Sequence, residues 1–89
     1  MTLERIKTLS KREHLLLIGS ELERARIWQG EDSEKFRMAL EYGLEFLNLI
    51  LQDSKWESEI DMLFGLKEEM QKFYSGEYQK SIEILYQAL

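Results

Sequence analysis

The chain has no cysteine, no proline, one histidine and only five glycines among its 89 residues. Without cysteine there is no disulfide framework, no cysteine-based zinc site and no thiol nucleophile, and a cytoplasmic home is the default expectation. Without proline, and with few β-branched residues, no strand-like alternation of useful length forms. A single histidine leaves imidazole chemistry without a partner. Residue 11 is Lys, so the Glu-x-x-His pattern of a di-metal bundle is missing as well. There is no Gly-x-Gly-x-x-Gly and no P-loop, so nothing marks an enzyme and no cofactor is expected. No apolar run approaches the roughly 18 residues of a membrane span, and Met1–Leu9 lacks the apolar core of a signal peptide.

What is present is ordinary for a folded chain. Hydrophobic residues make up 44% and charged ones 33%, which separates it from disordered sequences and predicts one domain over residues 1–89. The net charge of −5 is uneven: residues 1–37 carry eight basic and seven acidic side chains, residues 38–89 four and ten. An acidic domain repels phosphate backbones, so nucleic acid is disfavoured as a partner.

Every long segment fits a period of about 3.6 residues. Gly30 followed by Asp32-Ser33, Asp53-Ser54 with Glu57, and Ser75-Gly76 supply three breaks. They predict four helices: to Gln29, about Ser33–Gln52, about Lys55–Tyr74, and from Glu77 onward. Ser10 and Glu13 form a further capping box, leaving open whether residues 3–9 are a separate turn. The fold class expected is all-α, a small antiparallel up-and-down bundle of three long helices and a shorter C-terminal one. Its core draws on Leu15, Ile18, Leu22, Phe36, Leu40, Leu47, Ile50, Ile60, Leu63, Phe73, Ile82 and Leu85. Gly43, on the stripe of the second long helix, predicts a close helix crossing.

Two stretches resemble known families. Gly76, Tyr78, Ser81, Leu85 and Ala88 are similar to the second helix of a tetratricopeptide repeat, which would imply peptide binding. Ser81 and Leu85 replace the usual Ala and Phe, the W-x2-L-G-x2-Y positions fall on Gly65, Glu68, Glu69 and Lys72, and no 34-residue period is present. "LSKREHLLLI", Leu9–Ile18, resembles the opening of the LuxR-type helix-turn-helix, which would imply DNA binding. The register departs after Arg12-Glu13, and the recognition unit has no counterpart.

His14, in a first helical turn beside Glu13, reads as a solvated surface residue. The paired acids Glu41 with Glu45, Glu57 with Asp61 and Glu31 with Asp32 read as solvated faces. Arg24, Arg26 and Arg37, with Trp28 beside them, could converge at the Gly30 turn on an anionic partner, or form ordinary helix-surface pairs. Met38, Tyr42, Leu49, Met62, Tyr74, Ile84 and Tyr86 lie off the packing stripes, so an apolar patch should remain. The leading expectation is a non-catalytic protein–protein interaction or scaffold module that forms a homodimer or binds a partner helix or peptide. Its contact residues are drawn from Trp28, Arg24, Arg26, Arg37, Leu49, Ile84 and Tyr86. The alternatives are a nucleic-acid or anion binder using the three arginines, and a ligand-binding bundle or small enzyme with buried Glu41, Glu45 or Asn48.

Overall fold

Capping chemistry sets the helix boundaries. In the computed structural model, which describes all 89 residues, the order is α1 (Leu3–Thr8), α2 (Lys11–Trp28), α3 (Ser33–Ile50), a 3-10 helix (Ser54–Glu59), α4 (Ile60–Tyr74) and α5 (Glu83–Ala88), with no strand. The Ser10 hydroxyl accepts from the Glu13 N–H while the Glu13 carboxylate accepts from the Ser10 N–H, both at 3.1 Å. This reciprocal cap starts α2 afresh and makes residues 3–8 a separate helix. Asp32 caps α3 by accepting from the N–H groups of Glu34 and Lys35. Gly30 and Gly76 end their helices with φ of 82° and 80°, the left-handed conformation that favours glycine.

The α2/α3 hairpin is the centre of the molecule. α4 packs on α3, α1 also lies against α3, and α5 lies on α2. Leu40, Leu47 and Ile50 of α3 meet Ile18, Leu22 and Ala25 of α2 and Leu63, Met70 and Phe73 of α4, all buried in one cluster closed by Ile6, Trp56 and Ile82. The close crossing expected at Gly43 is present. A Cβ there would stand 2.8 Å from Met70 Cε and 3.4 Å from Glu21 Cβ, so α2 and α4 both approach α3 at this point.

The all-α bundle class holds, with differences of detail. Leu15, Phe36, Ile60 and Leu85 are half-buried rather than central. The third helix opens with a 3-10 segment capped by Asp53, not the Ser54–Glu57 box. The fourth begins at Glu83 rather than Glu77. Residues 77–82 leave helical form because their groups are claimed elsewhere: the Gln29 side chain accepts from Ile82 N–H at 2.8 Å and donates to Lys80 C=O at 2.9 Å. Tyr78 folds back edge-on to Phe73, centroids 5.0 Å apart. The repeat-like spacing of Gly76–Ala88 therefore does not lie on one helix. No helix is long and apolar enough to cross a membrane.

Candidate interaction surfaces

His14 overturns the surface reading: it has no exposed area. Trp56 Nε1–H donates to His14 Nδ1 at 2.9 Å, and His14 Nε2 lies 2.6 Å from the Ile6 carbonyl. An indole N–H only donates and a carbonyl only accepts, so these partners assign the neutral Nε2–H tautomer. The Ile6 carbonyl, one of the last in α1, also accepts from the Leu9 N–H at the helix cap at 3.1 Å, so His14 supplies its second bond. Lys55 Nζ donates to the next one, Lys7 C=O, at 2.6 Å and to Asp53 Oδ2 at 3.0 Å. Burial works against the charge on Asp53, yet the Lys55 N–H and ammonium hold its carboxyl below the usual carboxylate range. The cluster ties α1, α2 and the 3-10 helix together. Both His14 nitrogens are occupied and the ring is sealed from solvent, so the arrangement is architectural.

Glu21 is the other buried acid. Its Oε2 has no hydrogen-bond partner, and Arg24 Nη1 stands 3.7 Å away. Burial raises its pKa above the ordinary value, and the Arg24 charge only partly offsets that. Glu41, Glu45 and Asn48 are all exposed, so the enclosed acidic pocket expected of an enzyme or ligand-binding bundle is not formed. No three His, Asp or Glu side chains are grouped to hold a metal.

The larger feature is outside. Four consecutive apolar residues, Leu15–Ile18, point to every side of a helix at 100° per residue. With Ile18 wholly buried, Leu16 on the opposite side must face out, and it is 59% exposed. It lines a shallow groove of about 590 Å³ between α2 and α5, with Arg12, Leu15, Gly19, Ser20 and Glu23 on one side and Tyr86 and Leu89 on the other. Leu89 and Tyr86 lie over Gly19, 3.5 and 4.0 Å from where a Cβ would sit. A second cleft, lined by Met1, Arg5, Leu9, Glu13, Leu16 and Leu17, meets the first at Leu16.

The residues singled out from the sequence divide between several faces. Arg24 and Trp28 share a cleft with Lys35, Met38, Ala39 and Tyr42, and Lys35 Nζ lies 4.1 Å from the Trp28 ring. Arg37 lines a neighbouring cleft with Met38, Glu41 and Tyr74, its guanidinium 4.9 Å from the Tyr74 ring. Arg26, two residues from Arg24 and so nearly opposite on α2, forms a two-point pair with Glu23. The turn at Gly30 thus does not gather the three arginines. Leu49 is half-buried and packs on the core. Ile84 and Tyr86 are 53% and 42% exposed, and Tyr86 lines the α2/α5 groove. Arg12, Leu16 and Leu89 were missed; the four-residue apolar run was the signal for Leu16. Comparison with known proteins finds no matching family, curated protein or solved structure.

Proposed function

We propose that this chain is a non-catalytic protein–protein interaction module whose docking surface is the α2/α5 groove. The observation that carries the reading is Leu16: a large aliphatic side chain 59% exposed at the junction of two apolar-lined clefts. Exposed apolar residues scattered singly are normal, whereas contiguous ones mark partner surfaces. Met1, Leu16, Tyr86 and Leu89 line one connected face and carry polar neighbours at its edge, the composition of an interface with an apolar centre and a polar rim. A shallow apolar-lined groove between two helices suits the apolar side of another helix.

Anion binding through Arg24, Arg26 and Arg37 has less in its favour, since Arg26 is turned to the α5 side and engaged by Glu23. The test of the main reading is NMR titration with an apolar dye such as bis-ANS and with an amphipathic helical peptide. Resonances of Leu16, Gly19, Ser20 and Tyr86 should shift together, and Leu16→Glu should abolish the response. Shifts centred on Trp28 and Tyr42 instead would overturn it.

A further inference from the structure

We infer that the occupant of the α2/α5 groove is a second copy of this chain, docked about a two-fold axis with the two α2 helices antiparallel and Arg12 of each copy against Glu23 of the other. The inference rests on the groove being the docking surface, and it adds the partner and the register.

Charge placement carries the first part. Arg12 and Glu23 both line the groove. Eleven residues separate them, three helical turns, so they lie within about 20° of one stripe and about 16 Å apart along the axis. Arg12 makes no ion pair within its own chain, unlike Arg24 and Arg26. A groove with a free cation at one end and an anion at the other is complementary to itself when reversed. That is the property of a two-fold interface, in which each contact occurs twice. A parallel copy would set like charges opposite each other. Glu23 already takes two bonds from Arg26, but a carboxylate has about four acceptor positions, so two stay open.

Apolar matching carries the second part. In the register that brings Arg12 opposite Glu23, Leu16 of one copy falls opposite Gly19 and Ser20 of the other. Gly19 is buried beneath Tyr86 and Leu89 of its own copy, so the projecting leucine meets those two exposed apolar side chains beside Ser20. A stable interface needs about 800 Å² per partner, roughly one seventh of the 5717 Å² the chain exposes. The face follows most of α2 on a molecule measuring 36 × 23 × 19 Å.

The experiment is sedimentation equilibrium of the intact chain, with circular dichroism to confirm that each variant is folded. The wild type should rise with concentration from 10.7 kDa toward twice that mass. Arg12→Glu and Glu23→Arg should each raise the dimer Kd at least about tenfold, because each sets two like-charge pairs across the axis. The double variant should return to within about threefold of the wild type, the pairs being restored in reverse. Arg26→Ala removes the Arg26–Glu23 pair alone and should move the Kd far less than Glu23→Arg. An equal loss in Arg26→Ala, or no rescue in the double variant, overturns the proposed register. If the double variant stays weak while Leu16→Glu still reduces self-association, the groove reading stands and this register falls. A wild type that stays monomeric while bis-ANS shifts Leu16 and Tyr86 removes the second copy as occupant and leaves the groove for another partner.

Discussion

α1 and α5 are both six-residue helices, far below the length at which a helix persists alone in water, yet they are held in opposite ways. α1 drives Ile6 wholly into the core. Its N-terminus is capped by the Thr2 hydroxyl, and two of its last carbonyls are taken by His14 and Lys55 from two other elements. α5 contains no fully buried residue. It is anchored from outside, by Ile82 just before it and by the Gln29 side chain clamping residues 80 and 82, and it leaves Ile84, Tyr86 and Leu89 between 41% and 53% exposed. Equal length with unequal burial separates their roles: satisfied buried polar groups make α1 part of the architecture, while α5 supplies a surface.

The largest effect should come from cutting the α1 anchor. His14→Ala strands the Trp56 indole N–H, removes one of the two bonds to the Ile6 carbonyl and leaves a cavity, and these costs add. We expect a loss of about 3 kcal/mol, a large part of the roughly 5–13 kcal/mol available to a chain of this size. Urea unfolding measures the loss, and amide hydrogen exchange should show α1 released first. Full retention of α1 protection would break the contrast. At the other end, Gln29→Ala should cost about 1 kcal/mol, because the groups it releases at Lys80 and Ile82 lie nearer solvent. Exchange should then quicken in α5 and leave α1 unchanged.

The two ends were unequally legible in the sequence. The Ser10–Glu13 box and the breaks at Gly30 and Gly76 depend on neighbours three or four residues apart, so they could be read locally. The burial of Ile18, Leu22, Leu40, Leu47, Leu63 and Phe73 followed from helical period. His14 could not be read this way. Its acceptor, donor and neighbouring carboxylate come from residues 6, 56 and 53, and nothing in the first turn of α2 announces them. The start of α5 failed for the same reason, since Gln29 takes the Ile82 N–H from more than fifty residues away. Tyr86 and Ile84 were visible as residues off the stripe. Arg12 and Glu23 belong to one surface only because they are three turns apart, a spacing that charge counts along the chain conceal.

Acid provides a finer test of the α1 end. Asp53 is held below its ordinary pKa in the fold despite its burial, by the Lys55 N–H and ammonium, so the unfolded chain takes up the proton first as pH falls. The stability Asp53 contributes is therefore fully present above its unfolded value near 3.9 and is lost as pH drops through the lower folded value. The difference in urea midpoint between wild type and Asp53→Asn should stay level from pH 7 to about 5, then shrink below about 4. A difference that grows toward acid would contradict the placement of Lys55 beside this carboxylate.

The smallest effect should be at Ile84. Its side chain is 53% exposed and lines neither cleft of the proposed docking face. Ile84→Ser should change the unfolding free energy by no more than about 0.5 kcal/mol, as surface substitutions do, and should leave self-association unaltered. The matching change in α1, Ile6→Ser, replaces a fully buried aliphatic group in the apolar cluster with a hydroxyl, and it should cost several times more. Two isoleucines in two helices of the same length then report the same substitution from opposite environments. Similar costs at both positions would mean that α5 is held as firmly as α1.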